Sequence, residues 1–139
     1  MQPYEFFDHT ADTLFKAHGK NLEEAFANAA RALTSLMVDP TQVKEVERRT
    51  INVQGYDLKA LLYNFLEHFL ILVDAEGFIM HDLEHVAIKR GKTFELIASV
   101  TGDTVRNYAP EMHIKAITYN DMHIDENEQQ ATVQVVVDL

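Results

Sequence analysis

Cysteine and tryptophan are missing from this chain altogether, serine occurs only at Ser35 and Ser99, and glycine and proline contribute five and three of the 139 residues. Each scarcity excludes a chemistry. Without cysteine there is no disulfide, no thiolate nucleophile and no sulfur-ligated zinc, so oxygen and imidazole are the only ligand types at hand. Five glycines are too few to assemble a Walker loop or a dinucleotide fingerprint, so a nucleotide would have to bind in another way. No G-x-S-x-G elbow surrounds either serine, and both fall in segments that read as ordinary helix and strand, which leaves nucleophilic catalysis with little support.

Basic residues are also in short supply: 12 Lys and Arg face 22 Asp and Glu, a formal charge of −10. Affinity for nucleic acid rests largely on Lys and Arg neutralising phosphates, and the densest basic clusters are the pairs Arg48-Arg49 and Lys89-Arg90. Autonomous RNA or DNA binding is therefore disfavoured; a basic protein partner or bound cations suit this surface better. The most apolar run, Leu58 to Val73, is interrupted by Lys59, Asn64, Glu67 and His68 and is too short to span a bilayer. No basic, apolar leader precedes the first strand, so a soluble protein of the cytoplasm is expected. With 47% hydrophobic residues, the 139 residues are read as a single domain, 1–139, with a full core.

Two helices stand out. The first is capped by Asn21 with Glu24 three positions on, carries Leu22, Ala25, Phe26, Ala29, Leu33, Leu36 and Met37 at spacings of three and four, and ends near Val38. The second follows Gly55-Tyr56, with Asp57 as a cap rather than a ligand, and runs through Leu58, Leu61, Leu62, Phe65, Leu66, Phe69 and Leu70 to about Gly77. Elsewhere the period falls to two, predicting strands at Tyr4–Phe7, Thr13–Ala17, Arg49–Val53, Leu83–Lys89, Phe94–Thr101, Met112–Tyr119, Met122–Ile124 and Ala131–Val137. Turn signals separate them, among them Asn120-Asp121. This order favours an α+β fold, two helices packed on one face of a mostly antiparallel sheet, over a doubly wound parallel one. No clear internal self-similarity is apparent.

His81-Asp82-Leu83-Glu84-His85 fits the inverted zinc-protease pattern H-x-x-E-H, but that motif needs a helix. Here it leads into strand-like alternation, where residues four apart lie roughly 13 Å from one another, too far to share a zinc. Asp8-His9-Thr10-Ala11-Asp12 is different in kind: two carboxylates and an imidazole crowd five residues after the aromatic pair Phe6-Phe7. The chain closes on Val133-Gln134-Val135-Val136-Val137, a β-prone run that stops at Asp138 and Leu139. If the two strands are neighbours, Asp12, Asp138 and the main-chain terminus form an all-oxygen pocket of the kind hard divalent cations prefer. The plainer alternative is a hydrogen-bonded turn around Asp8 and Thr10, a packed His9 and a solvated Asp138.

In order along the chain, Asp8-His9-Thr10-Ala11-Asp12, Asn21-Leu22-Glu23-Glu24-Ala25-Phe26 with Ala29-Ala30, Met37-Val38-Asp39, Tyr56 through Leu66, Ile114-Lys115-Ala116-Ile117-Thr118-Tyr119 and Val136-Val137-Asp138-Leu139 resemble the archease family over nearly the whole length. The resemblance implies a duplicated strand-helix-strand-strand module. It also implies a non-enzymatic accessory role toward the RtcB-type RNA ligase of tRNA splicing and RNA repair, promoting guanylylation of the ligase and multiple turnover. RNA would be contacted only through the ligase. By the same resemblance, a divalent metal, calcium foremost with magnesium or manganese as alternatives, is held by Asp12, Asp138 and main-chain oxygen of Leu139. Two positions depart from the family pattern: Asn120 stands where a histidine is usual, and Asp103 where glutamate often follows glycine. Two rivals remain, an autonomous metal-dependent phosphoesterase using Asp8, His9 and Asp12, and a metal-independent interaction module.

Overall fold

A computed structural model describes residues 2–9 and 12–139; Thr10 and Ala11 of the acidic motif therefore lie outside the described residues. Seven strands and two helices follow one another as β1 (Tyr4–His9), β2 (Asp12–Gly19), α1 (Leu22–Met37), β3 (Glu47–Gly55), α2 (Leu58–Glu76), β4 (Phe78–Arg90), β5 (Phe94–Thr104), β6 (Ala116–Glu126) and β7 (Ala131–Asp138). The α+β class and the antiparallel pairing are as expected, but the strands divide between two sheets. One has the order β1-β2-β7-β6 and the other β3-β5-β4.

The division has a simple origin. Strands β3, β4 and β5 with α2 form a strand-helix-strand-strand unit whose last strand lies in the middle of its sheet. Strands β2, β6 and β7 with α1 repeat that plan, β7 lying between β2 and β6. In chain order the β3-α2-β4-β5 unit is inserted whole between α1 and β6 of the other, and β1 is an added edge strand.

This duplication does leave a mark in the sequence. Gly19-Lys20-Asn21-Leu22 and Gly55-Tyr56-Asp57-Leu58 are the same strand-to-helix corner. In each, the Asx side chain caps the helix, Asn21 accepting from the Glu24 amide at 2.9 Å and Asp57 from the Ala60 amide at 2.7 Å. In each, the helix start packs on the glycine so closely that a Cβ would lie 2.5 Å from the Ala25 nitrogen or 2.4 Å from the Leu61 nitrogen. Four residues are too short a repeat to stand out from a single chain.

Both helices run to the expected ends, α1 to Val38 as C-cap and α2 to Gly77, whose φ of 63° is the left-handed conformation that glycine adopts without penalty. Helix α1 packs on β2, β4 and β7, and α2 on β3, β6 and β4, so each helix bears on both sheets. Five buried alanines, Ala25, Ala27, Ala29, Ala30 and Ala32, allow α1 to fit this closely between neighbours. The helices meet where the rings of Phe26 and Phe65 stack at 6.1 Å, both fully buried.

Two strands differ from the expected boundaries by more than three residues. Strand β4 begins at Phe78 rather than Leu83, because Phe78, Ile79 and Met80 are all buried and show no alternation. Residues 112–115 are not strand, and β6 runs unbroken through Asn120-Asp121 as a wide bulge instead of stopping at a turn. Thr118 pairs with Val136 and His123 with Gln134, so residues 119–122 stand against Val135 alone.

Candidate functional site

Alternation assigns the faces of the four-stranded sheet. Phe15 and Ala17 of β2 and Val133, Val135 and Val137 of β7 join the core, so Asp12, Leu14, Lys16 and His18 with Gln134, Val136 and Asp138 belong to the opposite face. Across the end of that face the register aligns His9, Asp12, Asp138 and Ala116 in one row: His9 pairs with Asp12, Asp12 with Asp138, and Asp138 with Ala116. The strand beside β7 is β2, which Asp12 opens, whereas β1 lies at the edge. The Leu139 side chain packs against the core, anchoring the chain end beside Asp138, whose carbonyl accepts from the Lys115 amide at 2.8 Å.

The β6 bulge completes the site. His9 Nδ1 is bonded to Oδ1 of Asp12, and its Nε2 lies 3.3 Å from Oδ2 of Asp121. Strands in a sheet are about 4.8 Å apart, so β1 and β6 are separated by roughly 14 Å. A contact between His9 and Asp121 therefore requires the bulge to cross the face over β7 and β2. Gln134 holds it there, its Nε2 donating to the Asp121 carbonyl at 2.7 Å, and Val136 beneath is fully buried although it points away from the helices. Asp121 sits at φ 49°, a left-handed conformation that aspartate tolerates better than most residues.

Hydrogen bonds to Asp12 and then Asp121 raise the His9 pKa above its ordinary 6.5, since both carboxylates favour the imidazolium. Asp121 was not anticipated as a site residue. The one sequence signal was the Asn120-Asp121 pair itself, which reads as a turn and gives no hint that its side chain reaches a histidine 112 positions earlier. Asp8 is exposed and pairs with Thr13 on the other face from His9.

Among the described residues no three His, Asp or Glu side chains gather closely enough to hold a metal ion by themselves. A cation at the Asp12–Asp138 pair would need main-chain oxygen as a further donor, and the Leu139 main chain adjoins it. That donor set, carboxylates and main-chain oxygen without sulfur, fits a hard divalent cation. The inserted unit shows the contrast. Seven residues before each corner glycine stand Asp12 and Arg48, and their partners across the sheet are Asp138 and Thr101. Arg48 supplies a fixed positive charge there, donating to Glu84 at 2.6 Å and Ser99 at 2.8 Å.

The H-x-x-E-H segment lies in β4, as expected from its alternation. His81 Nδ1 lies 3.2 Å from the Pro40 carbonyl, and His85 is exposed at a bulge with φ 57°. Ser35 donates to the Ala32 carbonyl at 2.7 Å within α1, an ordinary helical contact. Asp103 is buried and accepts from the Tyr108 hydroxyl at 2.8 Å and the Thr104 amide at 2.7 Å, which hold its pKa below the usual carboxylate range.

The model of the archease protein family matches residues 4–139. This chain belongs to the archease family. Archeases from Pyrococcus abyssi and Sulfurisphaera tokodaii are similar to it at 39% and 36% identity, covering 90% and 100% of this chain and 89% and 100% of their own. The solution structure of protein 1598 of Methanobacterium thermoautotrophicum superposes over the full length of both chains with a TM-score of 0.84 at 30% identity. An archease of Thermotoga maritima, described as a possible chaperone, shares the fold with a TM-score of 0.64 at 15% identity, covering 96% of this chain and 94% of its own. No helix among the described residues of this archease is long and apolar enough to cross a membrane.

Proposed function

We propose that this archease is a non-enzymatic accessory protein of an RtcB-type RNA ligase in the cytoplasm, acting in tRNA splicing and RNA repair. In this reading it promotes guanylylation and repeated turnover of the ligase through a divalent cation, calcium foremost, with magnesium or manganese as alternatives. The observation that carries the metal is the register of β2 against β7, which sets Asp12 directly opposite Asp138. Asp12, Asp138 and main-chain oxygen of Leu139 would hold the cation. When bound, it would supply positive charge for orienting phosphate oxygens or carboxylates of the partner.

The chain's own residues do the rest. Asp138 is held by the β7 ladder and by the Lys115 amide on its carbonyl, so its carboxylate projects from a rigid strand end. His9 keeps Asp12 oriented and, when protonated, bridges it to Asp121 across the face. A charge of −10 favours docking on a basic partner and resists direct binding to RNA. The description "possible chaperone" given to the Thermotoga protein also fits a role exerted on another protein.

The test replaces Asp12 by Ala and measures guanylylation and multiple-turnover ligation by a purified RtcB-type ligase. Stimulation is expected to fall to the level of ligase alone, with the variant still folded by circular dichroism. Full stimulation by the folded variant would reject the metal-centred role, and phosphoester hydrolysis by the purified chain without any ligase would favour the autonomous enzyme instead.

A further inference from the structure

A second feature of the β6 bulge lies on its other side, away from His9. Tyr119, within the bulged strand, stacks on Tyr63 of α2, ring centroids 4.6 Å apart and planes within 8°. Tyr119 stays 51% exposed and Tyr56, at the corner before α2, is 75% exposed, the most open large hydrophobic among the described residues. Tyr63 is partly buried against the core, and Tyr119 stacked on it presents an outward-facing aromatic surface. The acidic groups near it are Asp57 and Glu67: burial raises the Tyr119 pKa first, and the Tyr56 and Tyr63 phenols with these two carboxylates add to it. Glu67 lies one turn along α2 from Tyr63 and raises that phenol as well, after burial. Lys59 lines the adjoining hollow with Asp57, Leu58, Ile124 and Glu126, where two carboxylates stand against its one ammonium group.

We infer that Tyr56, Tyr63 and Tyr119, flanked by Asp57 and Glu67, form a docking platform for an arginine-bearing cationic segment of the partner protein. Guanidinium groups stack on aromatic faces while bonding to neighbouring carboxylates, a combination an ammonium group matches less well. Exposed, pre-ordered tyrosines lose little conformational freedom on binding and are frequent anchors at interfaces. Single-stranded nucleic acid also stacks on aromatics, but it needs a cationic track for its phosphates, and this platform is acidic. Residues 119–121 bridge the platform and the Asp12–Asp138 row, so a segment held on Tyr119 brings its protein to the edge of that site.

This inference rests on the proposed ligase partnership for the identity of the protein, so the test has two arms. In the first, binding of a purified RtcB-type ligase is measured for the wild type and for Tyr56→Ala, Tyr119→Ala and Glu67→Gln. Loss of a contact of this kind should weaken binding by about fivefold or more in the tyrosine variants, the effect of an interface side chain worth about 1 kcal/mol. In the second, a short arginine-glycine peptide, its lysine counterpart and a single-stranded oligonucleotide are titrated while tyrosine fluorescence is followed, which tryptophan does not obscure because the chain has none. The arginine peptide should bind several-fold more tightly than the lysine peptide, and the preference should disappear in Tyr56→Ala, which removes an exposed ring and leaves the core intact.

Ligase binding unchanged in both tyrosine variants would overturn the platform and leave the ligase partnership standing. If the ligase does not bind even the wild type, the partnership fails and the peptide arm alone decides. Equal response to arginine and lysine peptides, or a response to the oligonucleotide instead, would then overturn the platform.

Discussion

The two corner glycines give the sharpest stability prediction. At Gly55 an added Cβ would lie 2.4 Å from the Leu61 nitrogen and 2.8 Å from its Cα, and at Gly19 it would lie 2.5 Å from the Ala25 nitrogen. These are backbone atoms, and relief to van der Waals contact requires the helix start to retreat by about 1 Å. Helix α2 cannot retreat freely, since Leu61, Leu62 and Phe65 are fully buried. Forced overpacking costs about 1–3 kcal/mol, and a clash with backbone atoms takes the upper part of that range, about 2–3 kcal/mol; offset by about 0.4–1 kcal/mol from the stiffer unfolded chain, each Gly→Ala change should destabilise by about 1–2.6 kcal/mol. Urea denaturation would register it as a lower midpoint at unchanged slope. Gly91→Ala is the control: its nearest neighbour would be the Thr93 carbonyl at 3.5 Å, and stability should stay within about 0.5 kcal/mol. If Gly19→Ala or Gly55→Ala is as stable as the wild type, the close strand-to-helix packing that defines both halves is wrong.

Two pH predictions follow. In metal-free protein His9 should titrate above 6.5 by NMR; because its folded pKa is raised, the stability it contributes is fully present below the unfolded value and is lost as pH rises through the folded one, and Asp12→Asn should lower that pKa. Asp103 is the opposite case, its folded pKa depressed chiefly by the Tyr108 hydroxyl, so its contribution is present above the unfolded carboxylate value and is lost as pH falls. Tyr108→Phe should therefore move acid unfolding to higher pH, and an unchanged acid midpoint would contradict the assigned bond.

Periodicity and capping made both helices legible nearly to the residue, because Asn21, Asp57 and Gly77 carry their signals within a turn of the helix ends. The strands were legible as segments but not as partners. Nothing local says that β2 and β7, at opposite ends of the chain, are neighbours, or that a whole unit is inserted between α1 and β6. The site divides in the same way. Asp12 and Asp138 stood out by their placement at the ends of apolar runs, whereas Asp121 was hidden, since a bulge that folds across two strands is set by tertiary packing and the same Asn-Asp pair encodes a simple turn equally well.

The central claim, that β2 and β7 present a divalent-cation site through Asp12, Asp138 and Leu139, is tested most directly by calorimetric titration of the isolated chain with calcium, magnesium and manganese, repeated on Asp12→Ala and Asp138→Ala. The account predicts one cation per chain for the wild type and at least a tenfold loss of affinity in each variant, all three proteins remaining folded. Absence of binding by the wild type to all three ions, or undiminished wild-type affinity in either variant, would contradict it.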